Sequence, residues 1–230
     1  MNKKNDIQYI EHYLKINHTY PSVFALKMFL GKNPLLNMKE VIFKNKTILD
    51  IGFGDGRDLN LFLDLQFNVY GIEPSPDVVK HTIKKFLNME NKPQLSAGTN
   101  INTNLKGNFF DFIYASGSIY YMPDQNKTIN DAFSESYRIC KKQGYFLGTL
   151  AKNNTHAVLN AEEIKPNLYI LKDEFYNQRR GQVYYTYDNS IDVKNDLLKS
   201  GFSNPVVCDY QVDWFGTKET LFMFFCQKLN

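Results

Sequence analysis

The sequence has little of what marks secreted, membrane-spanning or metal-binding proteins. Its 230 residues include three cysteines, Cys140, Cys208 and Cys226. An odd, scattered set of cysteines does not suit a disulfide framework or a zinc site, and it indicates buried thiols in a reducing compartment. No apolar run reaches about 18 residues, and the N-terminal residues lack the apolar core of a signal peptide. We therefore expect a cytoplasmic protein with no membrane segment.

Basic tracts and clustered histidines are also missing. The formal net charge is +3, and lysines occur singly or in pairs with carboxylates between the pairs. This distribution does not predict a surface that follows a nucleic-acid backbone. The four histidines show no metal-ligand spacing. We expect neither a bound metal nor a nucleic-acid partner.

The apolar pattern predicts a helical segment followed by alternating strands and helices. Residues 1–46 are predicted to be helical with turns, with Ser22 as a helix cap and Gly31 as a helix stop. Short apolar runs predict buried strands at 47–53, 68–74, 94–98, 109–117 and 144–151. Periodic patterns between them predict helices over 56–67, from Ser75 onward, and over 128–142. Strands that alternate with helices form a parallel sheet with right-handed crossovers.

Residues 152–187 interrupt this alternation. Two strands joined across 176–181 are predicted there, and we interpret the segment as an insertion over the carboxyl edge of the sheet. A helix is then expected over 190–199, with Ser190 as its cap. The remaining sequence predicts two long strands around a turn at 215–217, an antiparallel hairpin that completes the sheet.

The most informative stretch is "ILDIGFGDGRD" at 48–58, a glycine-rich loop after a predicted strand. Arg57 stands where a dinucleotide fingerprint needs its third glycine, and no Gly-Lys-Ser/Thr follows, so neither common phosphate-binding pattern is present. Asp50 and Asp55 would repel a pyrophosphate, but they suit a ligand with positive charge and no phosphate. Glu73 ends the next strand, at the spacing expected of a carboxylate that binds ribose hydroxyls.

These residues resemble the first motif of class I S-adenosylmethionine (SAM)-dependent methyltransferases, an Asp/Glu-x-Gly-x-Gly-x-Gly pattern, and Glu73 matches that family's ribose-binding acid. SAM carries an ammonium and a sulfonium and no phosphate. The resemblance implies an α/β fold: a Rossmann-like, seven-stranded, mainly parallel sheet with helices on both faces, a C-terminal antiparallel hairpin and an insertion after strand five. It predicts one methyltransferase domain over residues 1–230, with a helical lid at 1–46 and a substrate cap at 152–187. The expected product is S-adenosylhomocysteine (SAH).

The resemblance also implies which residues bind the cofactor. "SAGTN" after the third strand matches the segment that covers the adenine, and "FDFIYASGSIYYM" matches the motif whose loop faces the sulfonium. The predicted cofactor-binding residues are Asp50, Ile51, Gly52, Phe53, Gly54, Gly56, Arg57, Glu73, Pro74, Thr99, Asn100, Ile101, Ser116 and Gly117.

Substrate-binding and catalytic candidates lie outside these motifs. The pair Arg179 and Arg180 suits an anionic substrate, because a guanidinium binds carboxylate or phosphate in a fork; a solvated turn is the alternative. Tyr120 and the only tryptophan, Trp214, are the other predicted substrate-binding residues. A hydroxyl or amine acceptor must lose a proton to a base, and the predicted catalytic candidates are Tyr20, Tyr121, His156 and Asp213.

The family's Asp/Asn-Pro-Pro-Tyr motif, used for planar amide or base nitrogens, is absent after the fourth strand. We therefore predict in-line methyl transfer to an O or N atom of a small metabolite or polysaccharide precursor, anionic if the arginine pair binds it. Two alternatives stay open: a noncatalytic SAM-binding module, and a nucleotide-dependent oxidoreductase, against which Asp50 and Arg57 argue. The sequence leaves both a monomer and a homodimer open.

Overall fold

The computed structural model describes residues 10–14, 19–36, 41–172 and 179–230. Residues 10–14 are helical. The further helices are α1 (Val23–Leu30), α2 (Arg57–Asp64), α3 (Pro76–Lys85), α4 (Ile129–Ile139) and α5 (Ser190–Lys199). The strands are β1 (Thr47–Ile51), β2 (Asn68–Glu73), β3 (Gln94–Ala97), β4 (Phe110–Ala115), β5 (Tyr121–Met122), β6 (Cys140–Ala151), β7 (Glu162–Lys165), β8 (Leu168–Ile170), β9 (Val183–Tyr185), β10 (Ser203–Trp214) and β11 (Thr217–Gln227). A short 3-10 helix covers His156–Val158.

The central sheet has seven strands in the order β10-β11-β6-β4-β1-β2-β3. The pairs from β6 through β4, β1 and β2 to β3 are parallel, whereas β11 is antiparallel to both β6 and β10. The strand order steps outward from β1 in both directions, so the loops after β1 and β4 meet at a switch point where ligands bind in such sheets. The predicted mainly parallel sheet with a C-terminal hairpin is confirmed.

Helices cover both faces of this sheet. One apolar cluster joins Phe29 of α1 and Phe62 of α2 to the sheet. The other cluster joins Phe133 of α4 and Leu197 of α5 to the opposite face. Both clusters are close-packed with aromatic rings, which accounts for much of the sequence's high phenylalanine content.

Several boundaries differ from the prediction, and two of the differences have a clear local cause. The helix expected over 128–142 ends at Ile139, because Cys140 is already extended and pairs with Phe110 at the start of β4. The cap of α5 is Asn189 rather than Ser190, since the Asn189 side chain accepts the N–H groups of the first turn. The predicted caps Ser22 and Ser75 each accept an N–H from the first turn of their helices.

A second, four-stranded sheet in the order β5-β9-β8-β7 is built largely from the segment predicted as an insertion. All of its pairs are antiparallel. Two of the strands, β8 and β9, lie within the two predicted ones, and β5 comes from the loop after β4. The predicted connection across 176–181 lies partly outside the described residues. In the part of the chain that the structure describes, no helix has the length and apolar character needed to cross a membrane.

Candidate functional site

A cavity of about 1020 Å³ opens at the carboxyl edge of the parallel strands. Its walls come from the loops after β1, β2, β3 and β4, from the helical residues 10–14, and from the second sheet. Twelve of the predicted cofactor-binding residues line it: Asp50, Ile51, Gly52, Phe53, Gly54, Arg57, Glu73, Pro74, Thr99, Asn100, Ser116 and Gly117. The cavity therefore joins four separate sequence segments, at 50–57, 73–74, 99–100 and 116–117, that the motif pattern singled out.

The glycine loop is held in a conformation that a side chain would disturb. Gly52 has φ +74°, and a Cβ there would lie 2.5 Å from the Cβ of Ser118. Gly54 has φ +53°, and a Cβ there would lie 2.7 Å from the ring of Tyr13. Both positions need glycine because the backbone is left-handed and a neighbour lies against it. The loop is thus packed between the chain after β4 and the helical residues 10–14.

Four buried carboxylates surround this loop. Asp50, Asp55, Asp58 and Glu73 are each at most 5% exposed. Burial raises the pKa of Asp50 well above its ordinary value, and the negative charges of Asp58, Glu73 and Asp55 raise it further. Such a site favours a cation and opposes a pyrophosphate.

Two of these carboxylates have strong partners in the protein. Asp55 accepts two hydrogen bonds from the guanidinium of Arg57, at 3.2 and 3.1 Å. Asp58 accepts the Ser22 N–H at 2.6 Å and the Tyr114 hydroxyl at 2.7 Å. Because Ser22 is the cap of α1, Asp58 ties the N-terminal helix to the first turn of α2.

Glu73, at the end of β2, bridges the loops that follow β1 and β2. Its carboxylate accepts the Gly54 N–H at 3.3 Å and the Ser75 N–H at 3.4 Å. Both distances exceed the usual range for this kind of hydrogen bond. The side chain is 1% exposed and lines the cavity, where its carboxyl oxygens could accept hydrogen bonds from a ribose diol.

The segment after β3 forms a tight turn in which Thr99 and Asn102 exchange backbone hydrogen bonds at 3.2 Å. The Asn100 side-chain amide donates to the carbonyls of Ile119 and Tyr121, at 2.7 and 3.0 Å. This amide therefore fixes the loop after β4 against the loop after β3. Ile101 does not line the cavity, because it packs against the main apolar cluster.

Gly56 also lies outside the cavity wall. It occupies the cap position of α2, with φ +78°, and a Cβ there would lie 2.9 Å from Thr82. Its glycine is needed for packing α2 against α3 rather than for ligand contact. The cofactor-binding roles of the other twelve residues stay predictions.

Arg179 is the arginine of the predicted pair that reaches the cavity. Its guanidinium carbon lies 4.6 Å from the centre of the Tyr121 ring, and its Nη2 donates to the Tyr13 hydroxyl at 2.9 Å. Arg180 is exposed and does not line the cavity. Arg179 therefore joins the second sheet to the helical residues that lie over the glycine loop.

Tyr121 and Tyr120 differ in their access to the cavity. Tyr121 lines it, whereas Tyr120 is 6% exposed and lies behind the wall, with its ring centroid 5.1 Å from that of Tyr121 and 4.9 Å from that of Tyr184. Burial raises the pKa of the Tyr120 hydroxyl far above its ordinary value. Tyr120 therefore supports the wall, and of these two tyrosines only Tyr121 faces the cavity.

The remaining candidates do not line the cavity. Tyr20 is 84% exposed and Trp214 is 58% exposed at the end of β10. Asp213 accepts the Gly216 N–H in the hairpin turn at 2.6 Å, and His156 Nδ1 lies 3.1 Å from the Lys218 carbonyl oxygen. Asp213 and Trp214 thus lie near the hairpin tip, outside the cavity wall, and the predicted roles of these four residues stay predictions.

Sequence reasoning missed several cavity residues. Tyr13 and Ser22 come from the N-terminal segment, Asp58 follows the glycine motif, and Glu219 comes from β11. Ser22 was recognisable as a cap and Asp58 as a first-turn acid, but nothing local marks Tyr13 or Glu219. Among the described residues, no group of three or more His, Cys, Asp or Glu is arranged to hold a metal ion.

The residues present fit SAM. The buried carboxylates match its ammonium and sulfonium, and Glu73 matches a neutral ribose diol. A pyrophosphate binds where backbone N–H groups point at it, and four buried carboxylates around the glycine loop would repel it. The nucleotide-dependent oxidoreductase alternative is therefore not supported by the charge of the described site.

Comparisons with known proteins agree with this assignment. The family described as "Methyltransferase domain" matches residues 25–202. No curated protein matches the chain.

Solved structures show the same fold at low identity. A SAM-dependent methyltransferase from Methanosarcina mazei has a TM-score of 0.65 at 18% identity, covering 81% of this chain and 93% of that one. Phosphoethanolamine N-methyltransferase 2 of Haemonchus contortus, solved with SAM, has a TM-score of 0.64 at 15% identity, covering 100% and 58%. The 1,6-didemethyltoxoflavin-N1-methyltransferase of Burkholderia thailandensis, solved with SAH, has a TM-score of 0.59 at 15% identity, covering 99% and 83%. From the family match and the site's chemistry, the chain belongs to the methyltransferase-domain family and is a class I SAM-dependent methyltransferase.

Proposed function

We propose that the protein transfers the methyl group of SAM to an O or N atom of a small anionic metabolite or polysaccharide precursor, in the cytoplasm. The observation that carries the proposal is the position of Arg179, whose guanidinium lies over the Tyr121 ring in the same cavity as the glycine loop. A guanidinium has five N–H donors, so Arg179 can hold Tyr13 and an anionic group together. The free thiols of Cys140 and Cys226 support a reducing compartment.

The chain's own residues bind and align the reactants. When bound, SAM supplies an electrophilic methyl group on a positively charged sulfur. Asp50 and Glu73 offer carboxylates to the cofactor side of the cavity, and Arg179 offers a cation to the acceptor side. Most of the rate of an in-line displacement can come from such alignment. The second sheet covers the cavity and keeps water from the reactants.

Two of the similar structures support a small acceptor. The Haemonchus contortus enzyme is named for phosphoethanolamine and the Burkholderia thailandensis enzyme for 1,6-didemethyltoxoflavin. Both names denote transfer to nitrogen in a small molecule. The sequence identity is low, so these relatives support the class of acceptor and not its identity.

The test is SAH formation from SAM with deproteinised metabolite extract that has been split by anion exchange. We expect SAH formation with the retained fraction and little with the flow-through, because Arg179 selects anions. Turnover confined to the flow-through would contradict an anionic acceptor. SAM binding without turnover in any fraction would favour the noncatalytic alternative.

Variants of the arginine pair provide a matched comparison. Arg179→Lys keeps the charge but loses the planar group that stacks on Tyr121, so we expect the KM for the acceptor to rise about tenfold, equivalent to about 1.4 kcal/mol. Arg180→Lys makes the same exchange at an exposed position outside the cavity, and we expect little effect. Equal effects of the two substitutions would contradict the assignment to Arg179.

A further inference from the structure

The antiparallel strand β11 brings an unassigned carboxylate to the cavity. Leu221 pairs with Ala151, the last residue of β6. Glu219 precedes Leu221 by two residues, so it extends past the carboxyl end of β6 on the same face of the sheet as Leu221. Glu219 is half-buried and lines the cavity. Glu219 thus reaches the carboxyl edge of the sheet, where β1 and β4 end and the loops that follow them begin.

Glu219 is separated from the carboxylates of the cofactor side by the strand order. Asp50 is the penultimate residue of β1 and Glu73 is the last of β2, whereas β11 lies on the far side of β4 and β6. Arg57 neutralises Asp55, and Ser22 hydrogen bonds to Asp58. Within the described part of the chain, the Glu219 carboxylate has neither a hydrogen bond nor an ion pair. Glu219 is therefore a carboxylate on the side of the cavity proposed for the methyl acceptor. Its oxygen atoms accept no hydrogen bond from the described residues.

Glu219 and Arg179 both line the cavity, and the charges of both act on the buried Tyr120 hydroxyl. Burial and the neighbouring Tyr121 raise the pKa of the Tyr120 hydroxyl, the Glu219 charge raises it further, and the Arg179 charge lowers it. The Tyr120 hydroxyl lies 3.8 Å from the position that a Cβ on Gly117 would take. Gly117 belongs to the loop after β4 and lines the cavity. Glu219, Arg179 and this loop thus border the same cavity.

We propose that Glu219 is the catalytic base that removes the acceptor's proton. The inference rests on the proposed function, in which Arg179 holds the anionic part of the same acceptor. The acceptor's lone pair forms the new bond to the methyl carbon, and the carbon–sulfur bond breaks with its electron pair left on sulfur. The N–H or O–H proton of the acceptor passes to a Glu219 carboxylate oxygen and then to water.

The test compares three variants of the full chain on the extract fraction with which the wild-type protein forms SAH. Glu219→Gln is expected to lower kcat about 100-fold, the usual size of a general-base contribution. The KM for the acceptor and the calorimetric affinity for SAM are expected to stay within about threefold. Glu163→Gln changes an exposed carboxylate of β7 outside the cavity and is the matched control. Glu219→Asp keeps a base that is one methylene shorter, and it is expected to retain more activity than Glu219→Gln.

A fall in kcat of less than about tenfold for Glu219→Gln would overturn the assignment. Equal losses for Glu219→Asp and Glu219→Gln would overturn it too, because a carboxylate set back by one carbon still takes a proton. Loss of SAM affinity or of thermal stability in step with activity would also overturn it. If the wild-type protein forms no SAH with any fraction, the proposed function itself fails and this inference fails with it; wild-type turnover that Glu219→Gln retains refutes Glu219 alone.

Discussion

Replacing Glu73 is expected to move cofactor affinity and the stability of the unliganded protein in opposite directions. Glu73 is 1% exposed and accepts the N–H groups of Gly54 and Ser75. Its charge also raises the pKa of Asp50, after burial and the charge of Asp58. These carboxylates repel one another when no cation is bound. Glu73→Gln should therefore weaken SAM binding and leave the unliganded protein as stable as before or more stable.

The size of the effect follows from the loss of charge at one buried acceptor. A hydrogen bond to a charged group contributes about 1.5–3 kcal/mol. Glutamine keeps a neutral acceptor oxygen, so Glu73→Gln loses part of two such bonds to the ribose, about 1.4–3 kcal/mol in all, or roughly a 10- to 150-fold higher dissociation constant. Glu73→Ala removes both bonds and should weaken SAM binding at least about 100-fold. Relief of repulsion with Asp50 should stabilise the unliganded Gln variant by up to about 1 kcal/mol.

Isothermal titration with SAM measures the first quantity, and urea unfolding of the unliganded protein measures the second. Glu90→Gln, an exposed carboxylate after α3, is the matched control and should change neither. A Glu73→Gln affinity within about threefold of wild type, under about 0.7 kcal/mol, would refute the assignment of this residue to the cofactor. A large loss of unliganded stability would refute the reasoning about repulsion.

Four further outcomes are expected. The raised pKa of Asp50 means that the native state binds this proton more tightly than the unfolded state, so its contribution is complete below the ordinary value of 3.8 and is lost as pH rises through the native pKa. Thermal unfolding of the unliganded protein should thus show a steeper loss with rising pH for wild type than for Asp50→Asn, and parallel curves would contradict this. Gly52→Ala should cost about 1–3 kcal/mol by urea unfolding, because φ is +74° and the neighbouring side chain leaves no room; an unchanged midpoint would count against it. Tyr13→Phe removes the acceptor of the Arg179 hydrogen bond at 2.9 Å and should speed SAM release severalfold in stopped-flow measurements, without a change in the unfolding midpoint. Lys228→Met removes an ammonium that donates to three oxygen atoms at 2.7–3.0 Å and should cost about 2–4 kcal/mol, and a cost under about 1 kcal/mol would show that these bonds contribute little.

Local patterns were sufficient to predict most of the fold. The strand before the glycine loop and the strand that ends at Glu73 are short apolar runs, and most of their residues are buried, as such runs predict. Ser22 and Ser75 were recognised because a cap interacts only with the next turn of its own helix. The residues on the cofactor side of the cavity could also be predicted from the sequence, because they follow successive strands at fixed spacing.

The acceptor side could not be predicted in the same way, because its contacts join residues distant in sequence. Arg179 and Tyr13 are 166 residues apart, and no periodicity links them. Glu219 lies in a strand whose hairpin with β10 was predicted, but its pairing with β6 is known only from the sheet. Trp214 was selected for its rarity and chemistry, yet the hairpin turn that follows it projects away from the cavity, and the tryptophan is exposed.

Successive side chains of β11 point to opposite faces of the sheet, so residues that pack in the core alternate with residues on the other face. Its even-numbered residues Phe222, Phe224 and Cys226 are at most 2% exposed and pack in the core, so they hold the strand in register against β6. Glu219 is on the other face, beyond the end of that pairing. A slip of one residue would turn it away, but a substitution at this position leaves the core untouched. The proposed catalytic carboxylate and the residues that fix the strand are therefore under separate constraints, one from the reaction and the other from packing.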